Sequence, residues 1–199
     1  MRPEGREPQK KEIIKQIAII LKDINRIRCE NNDFYAVINS KFQNALSGLN
    51  YSKEFIFELR HIFQDYSKYI NKIEICNLVH VDTHFYNFIL KNNEVYAYDF
   101  ENMIMAPLDY QLLRWYRMSK YPNTYIYPKN SLNEYQVESY SILIPTIIEN
   151  YPQLCSFSNV NERVKTYLLV YLLEEAKRCA LREEEVKKYI IENKNMSLC

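Results

Sequence analysis

Glycine is nearly missing from this chain: Gly5 and Gly48 are the only two in 199 residues. Phosphate-cradling loops rely on glycines so that backbone N–H groups can close on an anion, and no such glycine-rich loop can be assembled from these two. The same scarcity disfavours a many-turned all-β fold. Charge of one sign is also lacking. With 26 Lys and Arg against 25 Asp and Glu, the formal charge is +1 and no basic face points to nucleic acid. Lys10-Lys11 and Lys187-Lys188 read as solvated helix faces. No stretch approaches the roughly 18 apolar residues of a membrane span, and no apolar signal core follows the first charges. The five cysteines, Cys29, Cys76, Cys155, Cys179 and Cys199, include no Cys-x-x-Cys pair. They suit reduced thiols better than a disulfide framework or a zinc site. The expected location is cytoplasmic, with neither nucleic acid nor membrane as partner.

What is present suits a globular chain, with 47% hydrophobic and 26% charged residues. A single domain over 1–199 can bury roughly 70% of its unfolded surface. Residues 1–8 read as an extended lead-in. Apolar residues Ile13, Ile17, Ile20, Leu21, Ile24 and Ile27 recur at helical spacing and predict a helix over 9–28. Ser52 is the expected N-cap of a helix reaching 70, and a short helix is expected near 37–46. Leu78-Val79-His80 is a short apolar run. Two β-type segments, 88–90 and 95–98, flank Lys91-Asn92-Asn93-Glu94 and read as a hairpin. Helices are expected again at 108–119, 132–150, 160–181 and 182–193, with Pro145 kinking the second of these. The expected fold class is mainly α with a small β-hairpin (α+β).

The chemistry concentrates in 78–101. Asp82 and Asn87 lie before the first hairpin strand and Asp99 follows the second, so the hairpin brings all three to one end. Magnesium prefers carboxylate and amide oxygens supplemented by phosphate oxygens and water, a share that Asn87 and Asp99 can supply. Asp82 could then accept or orient the proton of an attacking hydroxyl, because phosphoryl transfer depends mostly on positioning and charge neutralisation. His80 is expected to pack beneath the loop and anchor its backbone, and His84 to support the loop or meet phosphate. Each of these residues taken singly is an ordinary turn residue; their joint spacing is what carries the reading. A rival takes His80-x-Asp82-x-His84 as one face of a strand ligating zinc or a metal pair in a hydrolase.

At these residues the chain resembles the aminoglycoside phosphotransferase/choline kinase-like family, a branch of the protein-kinase-like fold. That family's loop reads His-Gly-Asp-Leu-His-x-x-Asn, matched by His80 to Asn87, and its metal motif Ile-Asp-Phe/Trp-Glu, matched by Tyr98-Asp99-Phe100-Glu101. Val81 stands where the family has glycine and Thr83 where it has leucine. The resemblance implies Asp82 as catalytic base, Asn87 and Asp99 as magnesium ligands, and ATP or another nucleoside triphosphate as donor to a small-molecule hydroxyl. It leaves the role of Glu101 open. Ala106-Pro107-Leu108-Asp109-Tyr110 resembles the segment in which an Asp bonds the catalytic-loop backbone, which implies that role for Asp109, or for Gln111 on a shifted alignment. Pro3-Glu4-Gly5-Arg6 resembles the region past the inter-lobe hinge, and Tyr151-Pro152-Gln153-Leu154 a segment of bacterial members.

The whole chain thus matches a helical C-lobe, and the phosphate-covering loop, strand Lys and helix Glu of an N-lobe have no counterpart in it. The expectation is a phosphotransferase C-lobe with its N-lobe absent, exposing an apolar surface for self-association or for a separate N-lobe chain. The alternative is a truncated, non-catalytic binding or remnant module of the same fold. Glu174-Glu175 and Glu183-Glu184-Glu185 read as solvated faces before they read as a lure for a cationic substrate.

Overall fold

Asn25 ends the first helix and ties it to the strand that enters the site. In the computed structural model, which describes residues 7–72, 74–125 and 140–198, helix α1 (Glu7–Ile24) buries Ile13, Ile14, Ile17, Ala18 and Leu21 along one stripe. The Asn25 side chain donates to the Leu78 carbonyl at 2.6 Å, and Asn77 donates to the Asn25 carbonyl at 2.6 Å. These bonds explain why the helix stops before the expected 28. Ile27 is left exposed, and the chain enters an unforeseen strand, β1 (Arg28–Asn32). The helix also starts earlier than expected, so Glu7 and Pro8 belong to it and not to a lead-in; 1–6 lie outside the described residues. Lys10, read as solvated, is buried.

The chain divides into two compact units, Met1–Cys29 with Cys76–Ser156, and Glu30–Ile75 with Phe157–Cys199. Strand β2 (Glu74–His80) enters the first unit at Cys76, where its residues from Asn77 on pair antiparallel with β5 (Met103–Ala106), with Val79 opposite Ile104 and His80 opposite Met103. The sheet order is β1-β2-β5. The expected hairpin is present as β3 (Phe88–Lys91) and β4 (Glu94–Ala97). Its two-residue turn places Asn92 and Asn93 at φ 51° and 64°, the left-handed pair that a twisted two-residue hairpin needs and that asparagine tolerates. Gln16 of α1 accepts from Val95 N at 2.9 Å and donates to Asn93 O at 3.1 Å, tying one strand of the hairpin to the helix.

A short 3-10 turn (Leu108–Gln111) leads into α4 (Leu112–Lys120), followed by α5 (Leu143–Asn150). The helix expected at 132–150 is described only from 140 onward. Residues 140 and 141 are helical and 142 is a turn, so the helix expected at 132–150 is interrupted just ahead of α5, with Pro145 in the first turn of α5, where it has no N–H to offer residue 141. Helix α5 packs Leu143, Ile144 and Ile147 between α1 and α4.

The second unit is helical. Asp33 caps α2 (Phe34–Leu46) by accepting from Ala36 N, and Ser52 caps α3 (Lys53–Ser67) by accepting from Phe55 N. Helix α6 (Val160–Cys179) is the hub against which α2, α3 and α7 (Glu183–Asn193) pack. Its run from Val164 to Leu173 is buried at almost every position, as expected of a helix that is apolar nearly all round. Phe42 stacks on Phe63 with ring centroids 4.0 Å apart. Burying each such ring stabilises the core by about 1.5–3 kcal/mol.

The fold class is therefore mostly helical with small antiparallel sheets, an α+β chain. Cys29, Cys76 and Cys179 are thiols, whereas Cys155 is disulfide-bonded, against the expectation of reduced cysteines throughout. Sequence spacing tests for local cysteine frameworks and is blind to residues that folding brings together. Among the described residues no helix is long and apolar enough to cross a membrane.

Candidate active site

Strand β2 ends at His80, and the backbone leaving it is tied at successive polar groups. Gln111 Nε2 donates to the His80 carbonyl at 2.8 Å and lies 3.2 Å from Thr83 Oγ1. Val81 N donates to Asn102 O at 3.1 Å, and Val81 O accepts from Arg114 Nε at 3.2 Å. Asp82 N donates to His80 Nδ1 at 3.4 Å, and Asp82 O accepts from Asn87 Nδ2 at 2.7 Å. Phe85 anchors the far side of the loop, its buried ring edge-on to Trp115 and Tyr140 with centroids 6.1 and 5.8 Å away. A loop held this way keeps its geometry without a ligand.

The Asp82 carboxylate projects from this loop and stays partly open to solvent. One oxygen lies 3.0 Å from Arg114 Nη2 and the other 3.4 Å from His84 Nε2. The hydrogen bond from His84, with the nearby Arg114 charge, holds Asp82 below the usual carboxylate range although burial opposes this. His80 lies fully buried beneath, its ring 5.8 Å from that of Phe100. Burial pushes its imidazole below the ordinary value, against the charges of Asp82 and Asp99, which favour the protonated form. His80 thus anchors backbone from below, and His84 supports the carboxylate itself.

Asn87 and Asp99 meet at the same end of the hairpin. Phe88 pairs with Ala97, and Tyr98 N donates to Asn87 O at 3.0 Å, which extends the ladder by one residue and leaves Asp99 just past it. Tyr98 OH also donates to Tyr86 O. Asp99 is exposed and left-handed at φ 61°, an unfavourable backbone state for a residue with a Cβ. No hydrogen bond or ion pair holds its carboxylate among the described residues. Asn87 is buried with its NH2 spent on Asp82 O, so its amide oxygen is the acceptor that remains. One uncommitted carboxylate and one amide oxygen fit a hard cation that completes its shell with phosphate and water.

Among the described residues, no group of three or more His, Cys, Asp or Glu side chains could hold a metal by itself. That removes the self-sufficient His80/Asp82/His84 site considered from sequence, because His80 is turned under the loop and His84 is bonded to Asp82.

The structure gathers His80, Asp82, His84 and Asn87 with Asp99 around one loop and hairpin end. Asp109 is fully buried on the 3-10 turn and makes interactions of its own, and Gln111, the residue that the shifted alignment indicated, bonds His80 O and lies 3.2 Å from Thr83 Oγ1. Arg114 is the residue that sequence reasoning missed. Its signal was available: an Arg five residues after Asp109 falls one turn or so onward, on the face that Gln111 begins. Glu101 is exposed on the turn after Asp99. No family model, curated protein or solved structure matches this chain.

Proposed function

We propose that this chain carries the metal-holding and hydroxyl-orienting side of an ATP-dependent phosphotransferase of the aminoglycoside phosphotransferase/choline kinase type, with the helical C-lobe architecture of that protein-kinase-like fold. The observation that carries the reading is the convergence of Asp82, Asn87 and Asp99 on one rigid loop and hairpin end. Asp82 accepts the hydrogen bond of the acceptor hydroxyl and aims its oxygen, while Arg114 and His84 keep the carboxylate anionic. Asn87 and Asp99 hold the cation. Magnesium, when bound, neutralises triphosphate charge. His80, neutral and buried, keeps the loop backbone in place from beneath.

On this reading the acceptor is a small-molecule alcohol and the protein works in the cytoplasm; the Cys155 disulfide is the feature that argues for a more oxidising setting. The outer hairpin face leaves Ile89, Tyr96 and Tyr98 exposed, with Ile89 directly opposite Tyr96. We assign that apolar face to self-association or to a separate nucleotide-covering chain.

The test is thermal unfolding with and without Mg-ATP. Binding should raise the unfolding temperature, EDTA should cancel the rise, and Asp99→Ala should abolish it. Protection that persists in Asp99→Ala, or none in wild type, sinks the proposal. Protection without any turnover of Mg-ATP would leave the chain as a binding module of the same fold.

A further inference from the structure

We infer that Arg114 is a positioning residue for the proposed transfer, its guanidinium fixing the Val81 peptide and the Asp82 carboxylate in one relation; the inference rests on the phosphotransferase reading. The two contacts come from different nitrogens of one planar group, Nε to Val81 O at 3.2 Å and Nη2 to Asp82 Oδ1 at 3.0 Å. A planar fork that bonds a residue's backbone and its neighbour's side chain removes freedom that two separate donors would leave. The carrier is rigid as well. Arg114 sits in the first turn of α4, whose Leu112, Trp115 and Met118 are buried, and Gln111 immediately before it holds His80 O.

The clamp acts on the peptide that carries Asp82. Val81 occupies the position before Asp82, and its N–H is already committed to Asn102 O. Arg114 takes the carbonyl on the other side, so both peptide planes flanking Val81 are pinned. The second Asp82 oxygen has only the longer contact to His84, at 3.4 Å. Removing Arg114 therefore leaves the Val81–Asp82 peptide with only the long bond from Asp82 N to His80 Nδ1, at 3.4 Å, and a carboxylate that can choose another rotamer. Asn87 keeps its bonds to Tyr98 N and to Asp82 O, and Asp99 follows that ladder without contact to Arg114.

Lysine cannot reproduce this geometry, since a single ammonium offers one centre of charge and no fixed fork. The experiment compares wild type with Arg114→Lys and Arg114→Ala by two readouts. The first is amide hydrogen exchange at Val81 and Asp82 in the ligand-free protein, which should quicken in both variants. The second is Mg-ATP hydrolysis, with water as acceptor. Its kcat should fall by roughly 10²-fold in both variants while KM for Mg-ATP stays near wild type, as expected when a reacting group is misplaced and binding is spared. Ethylguanidinium should restore turnover to Arg114→Ala and not to Asp99→Ala. Full kcat in Arg114→Lys, or exchange unchanged in Arg114→Ala, overturns the inference. If wild type neither binds nor turns over Mg-ATP, the phosphotransferase reading falls separately, and the exchange comparison still decides whether Arg114 orders the loop.

Discussion

Two arginine–carboxylate pairs in this chain use the same groups in opposite ways. Arg163 and Glu74, in the second unit, form a two-pronged pair at 2.5 and 2.8 Å with side chains only 1% and 3% exposed. Arg163 also donates to Tyr69 O and lies 3.1 Å from Tyr167 OH, and its guanidinium sits 4.4 Å from the Phe157 ring centroid. Nothing there is left open. Arg114 and Asp82, in the first unit, make one contact at 3.0 Å with side chains 19% and 23% exposed. Arg114 also donates its Nε to the Val81 carbonyl, and Asp82 faces solvent between Arg114 and His84. The first pair fills a space; the second keeps a group available. Burial with saturation marks the first pair as architecture, while the open carboxylate of the second fits the role proposed for Asp82.

The largest effect should come from breaking the closed pair. Glu74→Gln leaves a guanidinium buried without its countercharge, and breaking a buried pair in this way costs about 3–5 kcal/mol. Urea unfolding should show a large loss of midpoint with little change in slope. A loss under about 1 kcal/mol would show that water reaches the pair and that it is no more closed than Arg114 and Asp82.

Asp82→Asn should behave in the reverse sense. The amide keeps the shape, the site is partly solvated, and a pair of this exposure is worth about 0–1 kcal/mol. Stability should barely move, while Mg-ATP-dependent phosphoryl transfer to a hydroxyl acceptor should be lost. A variant that is strongly destabilised would place Asp82 with Glu74, as architecture.

How far the sequence revealed this contrast differs for the two halves of it. The loop and its polar residues were legible because their spacing is local: eight consecutive residues and a two-residue turn place Asp82, Asn87 and Asp99 with no tertiary knowledge. Helices α3, α6 and α7 were legible through caps and apolar periodicity, and Ser52 caps α3 as its position suggested. Arginine partners were not. Arg163 finds Glu74 across 89 residues and Arg114 finds Asp82 across 32, and no local pattern reports contacts made by folding. Strands β1 and β5 were missed for a related reason. Arg28–Asn32 is polar and Met103–Ala106 is four residues long, so neither shows an alternation that a strand would announce.

Asp99 offers a way to separate strain from function in the open site. Its φ of 61° disfavours any residue with a Cβ, so Asp99→Gly should be more stable than Asp99→Ala by about 1 kcal/mol. Both variants should lose Mg-ATP protection, because both lose the carboxylate. Equal stability of the two would mean that the turn relaxes out of the left-handed region when the side chain is removed.

The smallest expected effect concerns the imidazole beneath the open pair. Burial lowers the pKa of His80, and the charges of Asp82 and Asp99 oppose this without overcoming it. An unfolded chain takes up the proton near pH 6.5, earlier on acidification than folded His80 does. Below about pH 6.5 the unfolded state therefore binds more protons, and stability falls as pH drops from there towards the folded pKa. Above that range His80 is neutral in both states and adds no slope. Imidazole titration by NMR should find the His80 midpoint below 6.5, and Asp82→Asn should lower it further by removing one of the two opposing charges. A His80 midpoint that rises in Asp82→Asn would mean that the carboxylate does not act on the buried ring, and the loop would then be held from beneath by packing alone.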